Sequence, residues 1–257
     1  MNKTIFAALT ASLLALGGPA PVLAKPAAHH RTGPVLRWDK TVTMTADGFP
    51  VMGNPDAPVK VVEFISYTCS HCAEFSRESQ VPLAGGLVRQ GKVSVELRPF
   101  LRTSLDEVPA LLALCGPKSN YFGNSAGLLA AQGSWFKPPA DPGYEARWKA
   151  LEGKPVAQRG MVAKDLGLTK LMRARGYTSA ALDACLADQT KLDWLTKQTE
   201  YAGTTIKVVG TPSFMINGVL QDVYGWADLA PRIDAAMAGR QPVAAAPVAA
   251  TAVDKPI

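Results

Sequence analysis

The chain has 257 residues, 47% of them hydrophobic, and a formal net charge of +6 from 27 Lys and Arg against 21 Asp and Glu. That length suits one domain with an elaboration, or two small ones sharing a core. The basic residues are spread out, with no Lys/Arg block and no aromatic interleaving, which argues against nucleic-acid binding.

Residues 1–24 read as a secretory signal peptide. Lys3 supplies the positive start, Ile5 to Leu16 the apolar core, and Val22-Leu-Ala24 a small-residue pattern for cleavage after Ala24. That apolar run is too short to span a bilayer, and no later segment reaches the ~18 apolar residues required. The cleavage site carries no cysteine for a bacterial lipid anchor. The mature chain is therefore expected in an oxidising compartment, where disulfides persist. Residues 25–34, rich in Pro, Ala and His, read as a loose leader, and the Ala/Pro/Val-rich residues 241–257 as a flexible tail.

Between these ends, Arg37 to Met44 alternates as a strand, Asp47-Gly48 marks a turn, and Phe49 to Met52 returns. Gly53 to Pro58 is dense in turn formers. Val59 to Ile65 is apolar except for Lys60 and Glu63, which predicts a central strand buried on both faces. It runs into Cys69-Ser-His-Cys72, and Ala73 to Ser79 reads as a helix. Val93 to Arg98 is a clean period-2 strand, completing a parallel βαβ unit. Helical stretches follow. Ser104 with Glu107 forms a capping box opening a helix through Cys115, with Pro109 inside it as an irregularity. Others fall at 121–132, 144–151, 156–166, 179–187 and 192–202. Ser213 to Ile216 is the next strand, Asn217-Gly218 a hairpin turn, and Val219 to Val223 the return. Gly225 to Met237 closes the chain as a helix. A helical subdomain inserted into a small α/β core accounts for this order.

Two cysteines where a strand hands over to a helix N-terminus are placed for redox chemistry. The free N–H groups and dipole of the helix stabilise a thiolate there. A zinc site needs four ligands, whereas the other cysteines, Cys115 and Cys185, are isolated in sequence, and His29 and His30 lie in the leader. A c-type haem needs His directly after the second Cys, and position 73 is Ala. An inert disulfide closing so short a loop would constrain the unfolded chain little.

Glu63-Phe-Ile-Ser-Tyr-Thr-Cys-Ser-His-Cys72, Gly210-Thr-Pro-Ser-Phe214 and the helical insertion between them resemble the DsbA family of thiol:disulfide oxidoreductases, from about Gly53 to Arg240. The resemblance implies an α/β thioredoxin fold with an inserted all-helical subdomain. Its parts would be an N-terminal segment at 25–52, the fold's first half with the cysteine pair at 53–103, the insertion at 104–203, and the second half at 204–240. Cys69 would be the exposed, low-pKa sulfur and Cys72 its buried resolving partner. His71, between them, would add charge stabilisation when protonated, against the alternative of a solvent-exposed helix-start residue. Glu63 would be a desolvated carboxyl shuttling protons to and from Cys72, against a strand-end carboxylate facing solvent. Pro212 would be cis, with Thr211 beside Cys69 and its backbone free to pair with an extended substrate peptide. Ser70 stands where strongly oxidising members commonly carry Pro, and Thr211 where oxidase members commonly carry Val.

An even set of four cysteines in an oxidising compartment favours pairing, as Cys69–Cys72 and Cys115–Cys185. The alternative for the second pair is two buried thiols acting as small hydrophobes. The expected activity is that of a periplasmic dithiol oxidase introducing disulfides into unfolded secreted proteins with free thiols. It would be a monomer with no bound cofactor, since the cysteines carry the electrons, and a quinone-linked, DsbB-like membrane partner would reoxidise it. An isomerase or reductase of the related dimeric branches would need an N-terminal dimerisation domain, and only Lys25 to Ala57 precede the first core strand. A chaperone-like binding module with incidental cysteines is the remaining reading.

Overall fold

The computed structural model describes residues 37–240. The segments read from sequence as signal peptide and leader (1–24 and 25–34) and as tail (241–257) lie outside the described residues. The apolar run Val59–Ile65 forms β3. It sits near the middle of a six-stranded sheet with β1 (Val42–Met44), β2 (Pro50–Gly53), β4 (Val93–Pro99), β5 (Ser213–Ile216) and β6 (Val219–Leu220). The order is β1-β2-β4-β3-β5-β6. β3 runs parallel to β4, with Val59 opposite Val93 and Glu63 opposite Leu97. On its other side it is antiparallel to β5, which sets Glu63 opposite Phe214. β3 is not buried throughout: Lys60 is exposed and Val62 half-buried. At this exposed start of the strand, Lys60 N–H donates to Asn217 Oδ1 of the β5–β6 turn at 2.8 Å.

Parallel strands need a crossover, and α1 (Ser70–Ser79) provides it. The helix continues as a wider π-helical stretch, Gln80–Val88, through Pro82 and the Gly85-Gly86 pair. Proline removes a donor from the regular ladder, and the widened turn accommodates that loss. Eight helices lie between β4 and β5: α2 (Glu107–Ala113), α3 (Tyr121–Ala130), α4 (Gln132–Trp135), α5 (Tyr144–Lys149), α6 (Pro155–Asp165), α7 (Leu168–Ala174), α8 (Ser179–Ala187) and α9 (Gln189–Tyr201). α10 (Trp226–Met237) follows the β5–β6 hairpin and packs on α1 and β3.

Phe75, Val61, Val95, Phe214, Leu229 and Ile233 pack together beneath α1 and α10. A second core joins Ile65, Tyr67, Cys69, Cys72 and Ala73 to Leu111, Leu128, Trp135, Leu168, Met172, Leu182 and Leu195. The start of α1 thus shares its core with the helical insertion.

Several boundaries differ from the sequence reading. The strand expected from Arg37 begins only at Val42, because Trp38–Lys40 make a 3-10 turn in which Trp38 packs against Gly91. The capping residues before α2 are Thr103 and Asp106 rather than Ser104 and Glu107, and Thr103 N–H donates to Asp106 Oδ2 at 3.2 Å. A 3-10 turn, Ser104–Asp106, moves the cap back by one residue. Pro109 falls in the first turn of α2, where its missing N–H would have no intrahelical partner, so it disturbs nothing. The hairpin's return strand stops at Leu220. α7 has no counterpart in the sequence reading; Gly167, at φ +73°, separates it from α6.

Candidate active site

Cys69 is the residue preceding α1, with extended torsions of φ −90° and ψ 119°, so the free N–H groups of the first turn surround its side chain. No acidic residue occupies that turn. Both Cys69 and Cys72 are buried free thiols, at 4% and 0% exposure, so Cys69 is not the exposed sulfur expected from the sequence, because the Thr211–Pro212 segment and the insertion core close over it. One turn of helix places Cys72 beneath Cys69.

The two sulfurs differ sharply in acidity. Hydrogen bonding from the Cys72 side chain pulls Cys69 down to about 4, from an ordinary 9.0. The Thr211 side chain and the backbone N–H groups of Cys72 and His71 add to this, while burial opposes it. Burial pushes the Cys72 thiol well up, and the Cys69 sulfur beside it pushes further.

Across the sheet edge of the site, the Thr211–Pro212 peptide is cis. As a thiol, Cys69 Sγ donates to the Thr211 carbonyl at 3.1 Å. The buried Thr211 hydroxyl has no other partner among the described residues, so it is free to donate to the sulfur when Cys69 is ionised. Glu63 is 7% exposed between Leu97 and Phe214, and burial raises it to about 8. Its charge, when present, also raises Cys72. Glu63 lines a cavity of about 540 Å³ together with Ser76, Ser79 and Ser125, on the side of α1 that faces α3.

The structure brings Cys69, Cys72, Thr211, Pro212 and Glu63 to one place. His71 differs. It is exposed, its imidazole makes no hydrogen bond among the described residues, and it reaches Cys69 through its backbone N–H. Cys115 and Cys185 form a disulfide within the insertion, with Cα atoms 5.6 Å apart.

Sequence reasoning passed over a set of polar residues behind the loop. Gln132 is buried and donates through Nε2 to the carbonyls of Tyr67 (2.7 Å) and Cys69 (2.8 Å). Asp106, 1% exposed, accepts from Ser66 Oγ at 2.8 Å and Thr68 N–H at 3.1 Å. Burial raises the Asp106 carboxyl, while hydrogen bonds from Ser66, Thr68, Thr103 and Arg102 hold it down. One signal was available for Gln132: it falls four residues after Leu128, on the apolar stripe of a helical stretch.

A thiol held as thiolate at a helix N-terminus, over a buried protonated partner three residues on, defines a thiol–disulfide exchange centre. Residues 45–235 match the family model described as thioredoxin. A protein-disulfide isomerase from Novosphingobium aromaticivorans superposes with a TM-score of 0.68 at 35% identity, over 73% of this chain and 96% of that one. Wolbachia pipientis alpha-DsbA1 shares the fold, with a TM-score of 0.60 at 20% identity, over 76% of this chain and 94% of the other. A Rickettsia conorii protein provisionally named a protein-disulfide oxidoreductase is 25% identical over 213 residues, 82% of this chain and 69% of that protein. The chain belongs to the thioredoxin family, among its protein-disulfide oxidoreductases, and its fold is the thioredoxin fold with an inserted helical subdomain.

Proposed function

We propose that the protein is a dithiol oxidase that introduces disulfides into secreted proteins in the periplasm, after removal of its leader at Ala24. The observation that carries this reading is the opposed acidity of the cysteine pair, with Cys69 at about 4 and Cys72 raised. In the oxidised enzyme a substrate thiolate attacks Cys69, the Cys69–Cys72 bond breaks, and Cys72 leaves with the electron pair. Glu63, protonated near neutral pH, hands Cys72 a proton. A second substrate thiolate then attacks the substrate sulfur of the mixed disulfide, and Cys69 leaves as thiolate. Two electrons pass from substrate dithiol to enzyme; Cys72 keeps one proton, Cys69 stays a thiolate, and the other substrate proton goes to solvent. A leaving group of low pKa speeds the last step and stabilises the reduced enzyme, which makes the disulfide oxidising.

Thr211 and Pro212 would present backbone to an extended substrate segment, and Val209, 65% exposed just before them, offers apolar surface. His71 would add positive charge near Cys69 when protonated. The protein would act as a monomer without a bound cofactor and be reoxidised by a quinone-linked, DsbB-like membrane partner.

Equilibration of the mature protein with glutathione tests the reading. A reduction potential near the about −120 mV of strongly oxidising DsbA supports the oxidase. A value of about −200 mV or lower removes it and favours isomerisation or reduction. That second reading draws on the name of the 35%-identical Novosphingobium structure, a protein-disulfide isomerase, and on Thr rather than Val at position 211.

A further inference from the structure

We infer that Gln132 and Asp106, two buried side chains of the helical insertion, are positioning residues that hold the Tyr67–Cys69 main chain so that the first N–H groups of α1 meet the Cys69 sulfur. The inference rests on Cys69 being the reactive thiolate.

Three consecutive residues before the helix are gripped by side chains from elsewhere in the chain. Gln132 Nε2, at the start of α4, takes the carbonyls of Tyr67 and Cys69 at 2.7 and 2.8 Å. Asp106, in the turn entering α2, takes Thr68 N–H at 3.1 Å and Thr68 Oγ1 at 3.2 Å. It also takes Ser66 Oγ at 2.8 Å, and Ser66 Oγ lies 2.9 Å from Thr68 Oγ1. The carboxylate itself is anchored by Arg102 N–H at 3.0 Å and Thr103 N–H at 3.2 Å. Apart from the two anchoring bonds from Arg102 and Thr103, every bond in this set ends on main chain or on a hydroxyl between Ser66 and Cys69, and neither side chain is placed to exchange electrons.

Satisfying buried carbonyls is reason enough for a buried glutamine in many folds. Here the location adds a consequence. Cys69 precedes the helix, and its thiolate draws on the backbone N–H groups of His71 and Cys72. Those bonds hold only while the Cys69 torsions stay near φ −90° and ψ 119°. Gln132 restrains the carbonyls on either side of the Thr68–Cys69 segment, and Asp106 restrains the N–H between them. Loosening the clamp lets the sulfur swing off the helix N-terminus, which weakens the charge-assisted bonds that keep it ionised.

Gln132→Met keeps the length and neutrality of the side chain and removes its N–H. The expected result is a rise of about one unit in the Cys69 thiolate midpoint, read by ultraviolet absorbance against pH. The equilibrium constant with glutathione should fall about tenfold, or about 30 mV for this two-electron couple. Amide exchange at His71 and Cys72 should quicken. Thr68→Val, which removes one hydroxyl bond to Asp106 and leaves the N–H in place, should move both readings the same way by about threefold. It decides the matter if Gln132→Met does not fold. A variant with a lower melting temperature but an unmoved thiolate midpoint and glutathione equilibrium would reduce both residues to packing and overturn the inference. A wild-type protein that does not equilibrate with glutathione at all would remove the redox reading beneath it.

Discussion

Glu63 and Cys69 depart from ordinary acidity in opposite senses, and each departure makes stability depend on pH. Glu63 is raised from 4.5 to about 8 by burial. Between those values the native chain holds a proton that the unfolded chain has released, so stability falls as pH rises through the window. Oxidised wild type should therefore lose roughly 3 kcal/mol between pH 5 and pH 8 relative to Glu63→Gln. Urea unfolding at the two pH values measures this, and parallel behaviour of the two proteins would show that the carboxyl is not desolvated. The same substitution should flatten the pH dependence of thiol exchange over that window, since Cys72 loses its proton partner. Cys69 is lowered from 9.0 to about 4, so the reduced native chain releases a proton that its unfolded form retains. Its contribution is complete above pH 9 and disappears as pH falls to about 4. The oxidised protein has no such group. The melting temperature of the reduced form should therefore pull ahead of the oxidised form as pH rises from 4 to 8, and a constant difference would contradict a low Cys69 pKa.

The elements around the site stand on a few backbone positions that side chains could not occupy. Gly53 ends β2 at φ +121°, and a Cβ there would lie 2.9 Å from the Val93 carbonyl and 3.0 Å from Ser94 Cα. These contacts are with the backbone of β4, which cannot yield without disturbing its pairing with β3. Gly53→Ala should cost about 2 kcal/mol or more, visible as a lower urea midpoint. The hairpin beyond β5 turns through Asn217 and Gly218, both at positive φ, and Asn217 ties back to Lys60. β3, α1, β4 and this hairpin were legible because each is encoded within about ten residues by periodicity, a turn pair or the cysteine spacing. The start of β1 was not, because Trp38 is fixed by its seat against Gly91, more than fifty residues on. Gln132 was missed for the same reason: its place on the apolar stripe after Leu128 hints at burial, but its acceptors lie 65 and 63 residues away and no local pattern names them.

At the scale of the whole molecule, the insertion supports the site and is itself held by contacts distant in sequence. α2 packs against α3, α6, α8 and α9, and Trp194 of α9 donates to the Asp47 carbonyl at 3.0 Å while its ring packs at a tilt on Phe49, centroids 4.6 Å apart. Cys115, just past α2, is joined to Cys185 on α8 across 70 residues of chain. A closed loop of that length restricts the unfolded ensemble strongly, by about 4 kcal/mol in the chain-entropy model. Replacing both cysteines with alanine should lower the unfolding free energy by an amount approaching that value. The Cys69 thiolate midpoint should stay where it is, because none of the groups that lower it belongs to this pair. Unfolding in urea and absorbance titration of one and the same variant separate these effects. Lost stability with an unmoved thiolate assigns the disulfide to the scaffold, whereas a moved thiolate would mean that the bridge also sets the geometry at the cysteine pair.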